Sequence, residues 1–405
     1  MRILHIINLH VTGGIQTSFA AFIESSIANG ETEHGVVIRR DNIAHAGIPG
    51  DRIAIFNQRK WYGVSIPPVM KGLVRRRVAS TLREFNPDVV VSWGSLSARE
   101  FVGPCRAEGI PLIYWEHGFA WRASGKRNKK FESLLNDVDE VICVSNAAKR
   151  MLEIRWRYKG RITLIVNALR PQLVPRERPS RIYNAQFPIV VGVAGRIESV
   201  KGMCLAIHAI RELVSKGVDC QLVIAGDGRQ RDALGKLAAD LGVDRHVRFL
   251  GFVSDMSRFF SNIDVFLCPS LREPFGLVSL EAQAHGCPVI VTRVDGLPET
   301  ILEGESGLSV VPERPLAEYK DYGGVPEDVP PCVYDPCMDD VVQPMFVDPL
   351  RLAECTLWIT ADRRRYQTLS RKAAQWVTRA FCFDRHVEQV MERLRQVVRD
   401  KADRA

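Results

Sequence analysis

Short apolar runs alternate with amphipathic stretches along the chain, and this alternation predicts parallel β-sheets covered by helices. In the first half the strand-like runs are RILHII, EHGVVI, DVVVSW, PLIYWE, EVICVS and RITLIV, and helix-like stretches cover residues 15–28 and 70–85. The same rhythm restarts at FPIVVGVAG and continues through CQLVIAG, HVRFLG, VFLCPS and PVIVTR. Strands that alternate with helices form parallel sheets with helices on both faces. The pattern therefore predicts an α/β protein with two Rossmann-like domains, and the second sheet begins near residue 187.

A Pro-rich, charged stretch separates the two halves. The segment PQLVPRERPSR contains three prolines and suits an interdomain linker, so we place the hinge at residues 170–186. The expected domains are residues 1–178 and residues 187–383. Residues 384–405 form a predicted terminal helix whose apolar positions need a surface to pack on, namely Val387, Val390, Met391, Leu394 and Val397.

Residues 313–346 interrupt the rhythm of the second half. They are rich in Pro and Asp and show neither the period of a strand nor that of a helix. We expect a long loop or a small excursion from the domain here.

Composition and charge narrow the class of protein. The chain is 46% apolar and 25% charged, which is typical of a soluble globular protein, and no run reaches the roughly 18 apolar residues of a membrane-spanning helix. Polar residues interrupt the first ten positions, which argues against a secretory signal and favours a cytoplasmic protein. Residues 1–178 hold 27 Lys or Arg against 16 Asp or Glu, a net charge of +11, whereas the remainder carries −3. A basic first half favours an anionic partner. The candidates are nucleic acid, an anionic membrane surface, and a phosphorylated or lipid-linked acceptor, and a basic surface that is merely solvated is equally compatible with the charge.

One basic tract combines cations with an aromatic side chain. Such a combination suits anionic lipid headgroups at the inner face of a membrane, and it also suits a solvated helix with an aromatic anchor in the core. The residues predicted to contact a membrane or an acceptor are Arg59, Lys60, Trp61, Arg75, Arg76 and Arg77.

Two segments of the second half carry candidate ligands for a diphosphate and a sugar. Arg196 follows a strand in GRIESVKG and Lys201 lies five residues on, so two cations could stabilise negative charge on a leaving nucleoside diphosphate. In REPFGLVSLEAQ, Glu273 lies on a loop and Glu281 on the following helix. The unpaired backbone N–H groups at the start of that helix, around Gly276, Leu277 and Val278, favour the binding of a phosphate group. Each segment alone is also compatible with ordinary surface charges.

The first half offers weaker candidates. Gly13 and Gly14 lie between the first strand and its helix, where a backbone without side chains can approach a ligand. The pair lacks the G-x-G-x-x-G spacing of a dinucleotide site, so hydride transfer has little support. His117 follows an apolar strand, which places an imidazole at the carboxyl end of that strand, although a structural histidine would occupy the same position.

We predict no metal site. Asp137, Asp139 and Glu140 resemble a D-x-D motif but directly precede a buried strand, where acidic residues commonly cap a turn. Cys332 and Cys337 lack a second Cys or His pair that would complete a zinc site.

These motifs together resemble the retaining GT-B fold glycosyltransferases of family 4, also termed glycosyl transferases group 1. The most specific match is Glu273 to Glu281, an E-x7-E motif within PS-x3-E-x-FG-x4-E and followed by a G-x-PVI strand. GRIESVKG, IAGDG, FLGFVSD and DGLPETI also follow in the family's order, after GG, HG and VICVS in the first half. The resemblance covers nearly the whole chain.

The resemblance implies a fold and a set of roles. Two Rossmann-like domains would face each other across a cleft, with the C-terminal helix crossing back to the N-terminal domain. Arg196 and Lys201 would bind the donor diphosphate and Gly14 would close over it. Glu273 would hold hydroxyls of the donor sugar, Glu281 the ribose, and His117 would orient the sugar. Metal-independent transfer with retention is implied, in which the acceptor attacks on the leaving-group side and the phosphate takes its proton.

The chain departs from the family pattern at two places. Asp295 stands where the family's GG-x-PE motif has its first glycine, and residues 313–346 are longer than the usual link. The leading hypothesis is a transferase that builds a surface polysaccharide, lipopolysaccharide or glycolipid from a nucleotide-diphosphate sugar, with a saccharide or lipid-linked acceptor. The rivals are a GT-B phosphorylase or epimerase, a non-catalytic nucleotide-sugar sensor or scaffold, and a nucleic-acid-binding protein, for which no recognition module is found.

Overall fold

Parallel β-strands form the centre of both parts of the chain in the computed structural model of the protein. The structure describes residues 1–10, 13–28, 30, 32–39, 53–61, 63–67, 70–122, 125–175 and 187–403. The chain divides into two compact units, Met1–Val166 together with Phe383–Ala405, and Asn167–Cys382. Of the expected linker at 170–186, residues 176–186 lie outside the described part of the chain.

The first unit is built on a parallel sheet in which three adjacent strands are buried along their whole length. Its described strands are β1 (Arg2–Ile6), β2 (Glu33–Ile38), β3 (Ile53–Asn57), β6 (Val89–Trp93), β7 (Leu112–Glu116), β8 (Glu140–Cys143) and β9 (Ile162–Leu164), in the spatial order β3-β2-β1-β6-β7-β8-β9. Every residue of β6, β7 and β8 is buried, as expected for strands with helices on both faces. A short antiparallel pair lies outside this sheet, β4 (Lys60–Trp61) and β5 (Val64–Ser65).

Helices follow most of these strands. They are α1 (Gly14–Ala28), α2 (Lys71–Phe85), α3 (Val102–Ala107), α4 (Phe119–Arg122), α5 (Lys126–Asp137) and α6 (Asn146–Ile154). The bounds of α1 and α2 agree with the predicted helices at 15–28 and 70–85 to within one residue. In α2 the apolar stripe Val74, Val78 and Leu82 is buried, and Asn86 ends the helix in the left-handed conformation.

The second unit repeats the plan with a second parallel sheet. Its strands are β10 (Ile189–Ala194), β11 (Cys220–Ala225), β12 (Val247–Gly251), β13 (Val265–Cys268), β14 (Val289–Thr292) and β15 (Gly307–Val310), in the order β12-β11-β10-β13-β14-β15. Its helices are α7 (Met203–Ser215), α8 (Arg231–Asp240), α9 (Met256–Ser261), α10 (Leu277–Ala284), α11 (Pro349–Thr360) and α12 (Arg363–Ala380). The strand order reverses between β10 and β13, and ligands of open α/β sheets bind beyond the carboxyl ends of strands at such a point.

Residues 313–346 are not the structureless loop that their composition suggested. They contain two antiparallel pairs, β16 (Arg314–Pro315) with β19 (Met345–Phe346) and β17 (Val333–Asp335) with β18 (Asp340–Val342). Two 3₁₀ helices, Leu316–Tyr322 and Pro326–Asp328, lie between the strands. Strands of two or three residues are too short to leave a periodic signal in the sequence, which is why the sequence left a long loop and a small excursion as open alternatives.

The terminal helix α13 (Phe383–Ala402) belongs to the first unit. The five apolar positions that the sequence marks along it are all buried. Polar contacts add to this packing, because Nδ1 of His386 lies 2.9 Å from the carbonyl oxygen of Val166 and Arg393 pairs with the buried Glu140. Within the described residues no helix is both long and apolar enough to cross a membrane.

Candidate active site

The carboxyl ends of β10 and β13 bring together two residues that lie 72 positions apart in the sequence. Lys201, in a 3₁₀ turn at Ser199–Lys201 after β10, donates a hydrogen bond from Nζ to Oε2 of Glu273, which follows β13. The side chains are 24% and 14% exposed, so the pair is shielded but open on one side. The arrangement can present a fixed ammonium group and a carboxylate to the same ligand.

Arg196 lies at the beginning of the same loop and is more accessible. Its side chain is 58% exposed and its Nη1 donates to Oε1 of Glu198 at 2.6 Å. An exposed ion pair of this kind contributes little to stability, so the guanidinium can turn toward an anion at small cost.

The start of α10 has the geometry that the sequence suggested for anion binding. Gly276 is the N-cap with φ of +108°, a conformation that favours glycine, and a Cβ there would lie 2.6 Å from Cδ2 of Leu297. No side-chain cap occupies the N–H groups that begin with Leu277 and Val278. The positive end of the helix is therefore presented at the end of the Glu273 loop.

Glu281 is held by a residue that the sequence did not single out. Its side chain is 6% exposed, and one carboxylate oxygen accepts a hydrogen bond from Nη2 of Arg170 at 2.6 Å. Burial raises the pKa of the Glu281 carboxyl, and the charge and hydrogen bond of Arg170 act in the opposite direction. Arg170 lies 111 positions away in a stretch that the sequence assigned to the linker, so no local signal could have revealed the pair.

Asp295 is the second residue whose role only the structure reveals. It is 1% exposed, and its carboxylate accepts a hydrogen bond at 2.9 Å from the backbone N–H of Glu273. The sequence marked this position only as a departure from the family's glycine. The acidic side chain is buried and contacts the loop of Glu273, so it is not a surface charge.

His117, in the first unit, lies directly after β7 as expected. Its ring stacks on that of Trp93 at 5.4 Å between centroids, and its Nε2 is shielded from solvent without a hydrogen-bond partner among the described residues. Burial, with a smaller contribution from His386, lowers the pKa of His117 to about 3. The imidazole is therefore neutral at pH 7, and its Nε2 has unused hydrogen-bonding capacity.

Gly13 and Gly14 stand at the start of α1, as the sequence predicted. The carbonyl oxygen of Gly13 accepts the first helical hydrogen bond, from the N–H of Thr17 at 3.1 Å. Their role in binding a diphosphate stays a prediction.

The basic tract is divided by the structure. Arg59 pairs with Glu100, and Arg77 donates to the carbonyl oxygens of Asn57 and Lys60, so both hold their own unit together. Lys60 and Trp61 form β4 and are partly buried. Arg75 and Arg76 are exposed on α2 and are the members of the tract that a membrane could contact.

The acidic residues that resemble a metal motif have partners within the first unit. Asp137 pairs with Arg106, Asp139 accepts a hydrogen bond from the N–H of Leu112, and Glu140 pairs with Arg393. In the part of the chain that the structure describes, no group of three or more His, Cys, Asp or Glu is arranged to hold a metal ion.

Comparison with known proteins identifies the class. The model of the family described as "Glycosyltransferase Family 4" matches residues 12–173, and the model described as "Glycosyl transferases group 1" matches residues 178–319. The lipopolysaccharide core biosynthesis glycosyltransferase LpsE of Rhizobium meliloti is 29% identical over 300 residues, which are 74% of this chain and 81% of that protein. A GDP-mannose-dependent phosphatidylinositol dimannoside mannosyltransferase of Mycobacterium tuberculosis is 27% identical, over 76% of this chain and 83% of its own.

Solved structures share the fold. Anabaena HepE, determined in complex with UDP and glucose, superposes with a TM-score of 0.74 at 19% identity, covering 98% of this chain and all of its own. The lipopolysaccharide outer core galactosyltransferase WaaB gives a TM-score of 0.62 at 17% identity, covering 94% of this chain and 99% of its own. The two Rossmann-like domains expected from the sequence are confirmed, and the protein is a glycosyltransferase with the GT-B fold. Within that class, residues 12–173 resemble family 4 and residues 178–319 resemble group 1.

Proposed function

We propose that the protein transfers a hexose from a nucleotide-diphosphate sugar to a saccharide or lipid-linked acceptor, with retention and without a metal, in the synthesis of a cell-surface polysaccharide, lipopolysaccharide or glycolipid. The observation that carries the proposal is the contact of Lys201 with Glu273 at the switch point of the second sheet. The relatives named for lipopolysaccharide core and phosphatidylinositol mannoside synthesis support the assignment to surface glycans.

The residues divide the chemistry between them. Lys201 and Arg196 stabilise the charge that develops on the leaving diphosphate, which is the electrostatic task that a metal performs elsewhere. Glu273 orients Lys201 and accepts hydrogen bonds from donor hydroxyls. The helix start at Leu277 and Val278 adds backbone N–H groups for phosphate, and Glu281 is assigned to the ribose. The acceptor oxygen attacks the anomeric carbon on the side of the leaving group, and a phosphate oxygen takes its proton.

Two residues of the first unit also have proposed roles in binding the donor. Gly14 is assigned to the diphosphate and His117 to the donor sugar, because neutral His117 has an unsatisfied, shielded Nε2. The alternative function is a sensor or scaffold that binds a nucleotide sugar without turnover. The two functions differ in whether nucleoside diphosphate is released.

The test is donor hydrolysis or transfer with a panel of UDP-, GDP- and ADP-sugars in the presence of EDTA, followed as nucleoside diphosphate release. We expect release from one donor class, and Glu273→Ala should lower its rate about 100-fold, since the interactions it removes strengthen in the transition state. Glu354→Ala, which removes a surface carboxylate paired with Arg351, is the matched control and should leave the rate unchanged. Binding of a donor without release would favour the sensor. If no donor were bound and no nucleoside diphosphate were released, the proposal would be contradicted.

We also propose a peripheral contact with an anionic membrane at the cytoplasmic face, supported by the exposed Arg75 and Arg76 and the +11 charge of residues 1–178. Each cation near an anionic surface contributes about 1 kcal/mol, so Arg75→Ala/Arg76→Ala should weaken binding to phosphatidylglycerol vesicles about 30-fold. Arg363→Ala/Arg364→Ala, an exposed pair on α12, controls for the loss of charge. Equal binding of both double variants in vesicle co-sedimentation would remove the membrane contact from the proposal.

A further inference from the structure

Residues 313–346, for which the sequence offered no role, touch both loops that carry the proposed donor ligands. On one side the hydroxyl of Tyr319 donates to the carbonyl oxygen of Ser199 at 2.5 Å, and the N–H of Val325 donates to Oγ of Ser199 at 2.6 Å. Ser199 lies between Arg196 and Lys201. Tyr319 is fully buried, so its contact with Ser199 lies in the interior of the unit.

On the other side the segment reaches the Glu273 loop through Asp295. One oxygen of the Asp295 carboxylate accepts the N–H of Tyr334 at 2.7 Å, and the other accepts the N–H of Glu273 at 2.9 Å. The backbone of Asp295 adds a third bond, from its N–H to the carbonyl oxygen of Tyr334 at 2.9 Å. A single buried carboxylate thus joins strand β17 to the residue that contacts Lys201.

The conformation of Asp295 indicates what its carboxylate is for. Its φ is +49°, in the left-handed region where glycine is less strained than any residue with a side chain. The neighbouring Gly296 cannot change, because a Cβ there would lie 2.2 Å from the carbonyl oxygen of Pro274. A glycine at 295 would suit the backbone, so the two hydrogen bonds of the carboxylate are what the aspartate adds.

We propose that the segment 313–346 is a positioning element of the donor site. Its positioning contacts are made by Tyr319, within the segment, and by Asp295, which joins the segment to the Glu273 loop. Asp295 sets the backbone of the Glu273 loop, and Tyr319 sets the loop that carries Arg196 and Lys201. The inference rests on the proposed function, since it concerns how the donor ligands are held. It assigns different parts of the donor to the two contacts: the sugar to the Asp295 side and the diphosphate to the Tyr319 side.

The Asp295 contact is tested with Asp295→Gly and Asp295→Asn. Asp295→Gly removes the acceptors of both backbone N–H groups without backbone strain, and Asp295→Asn keeps one acceptor oxygen but places an amide NH2 donor against the other N–H. We expect the KM for the donor sugar nucleotide to rise about 10-fold. The Kd for the matching nucleoside diphosphate (UDP, GDP or ADP), measured by calorimetry, should change less than 3-fold. The control is Asp264→Asn, because Oδ2 of Asp264 accepts the N–H of Val190 at 2.8 Å at the opposite end of the same sheet. It should lower the melting temperature without changing either constant.

The Tyr319 contact is tested with Tyr319→Phe, which removes only the hydroxyl. We expect the Kd for the nucleoside diphosphate to rise about 10-fold, since the loop of Lys201 loses its anchor. Tyr366→Phe is the control, because the Tyr366 hydroxyl also donates to a backbone carbonyl oxygen in the same unit, that of Asp264 at 3.0 Å. Its Kd should equal that of the unsubstituted protein.

The outcomes separate this inference from the proposed function. If the unsubstituted protein binds a nucleoside diphosphate and releases it from a donor, but Asp295→Gly and Tyr319→Phe behave as their controls, the positioning role is wrong and the proposed function stands. Equal effects of each variant on both ligands would overturn the division between sugar and diphosphate. If the unsubstituted protein neither binds nor turns over any donor, both proposals are wrong.

Discussion

Replacing Lys201 by alanine is expected to lower kcat/KM for the donor about 1000-fold while the protein remains folded. The ammonium group is positioned by Glu273 in a site shielded from bulk water, where a charge directed at the leaving diphosphate is worth more than in solvent. The substitution also leaves the Glu273 carboxylate without its cation, so this negative charge repels the negatively charged diphosphate of the donor. The loss should appear in kcat as well as in KM, because the charge on the diphosphate grows in the transition state.

Two further variants define the origin of this effect. Lys216→Ala removes an exposed lysine at the end of α7 in the same unit and should leave kcat/KM unchanged. Lys201→Arg retains the charge but not the compact geometry of the ammonium group, so we expect only partial activity. Steady-state assays of nucleoside diphosphate release measure all three variants. A Lys201→Ala enzyme with a kcat/KM within 10-fold of the unsubstituted enzyme would show that the diphosphate is stabilised elsewhere.

The second large effect concerns stability and the attachment of α13. Glu140 is 1% exposed at its side chain, and Arg393 of α13 donates to both of its oxygens, from Nε at 2.6 Å and from Nη2 at 2.5 Å. Thr163 adds a hydrogen bond at 2.6 Å. Arg393→Met would leave a buried carboxylate without its cation, which costs about 3–5 kcal/mol in other proteins. We expect the amides of residues 387–397 to exchange with solvent faster by roughly two orders of magnitude or more, since local opening of the helix becomes easier.

The control variants distinguish a lost interaction from an unpaired charge. Glu140→Met/Arg393→Met removes both charges, and its exchange should be slower than that of Arg393→Met alone, because no buried charge is left unpaired. Arg351→Met breaks an exposed pair with Glu354 on α11 and should cost less than about 1 kcal/mol. Hydrogen exchange followed by mass spectrometry measures each variant. If Arg393→Met left the exchange of α13 unchanged, the ion pair would not be what holds the helix.

Several parts of the site could be predicted from sequence because their chemistry is local. The Arg196 to Lys201 loop follows a strand, and the Gly276 turn precedes a helix, so the spacing of apolar residues and glycines was sufficient to place them. The division of the basic tract was not predictable in the same way. Whether Arg77 faces a lipid or the carbonyl oxygens of Asn57 and Lys60 depends on how a strand and a helix pack, which composition does not encode.

The order of amino acids is enough to predict the alternation of strands and helices, the two parallel sheets and the apolar stripe of α13, because these follow from periodicity within short windows. Which charged residues pair with each other is set by the packing of the folded chain. Glu281 is paired with Arg170, Glu273 with Lys201, and Glu140 with Arg393, and their partners lie 111, 72 and 253 positions away along the chain. The same holds for Asp295, whose sequence neighbours do not include Tyr334. A hydrogen bond requires a donor–acceptor distance that is correct to within a few tenths of an ångström, and that distance is set by the packing of whole elements.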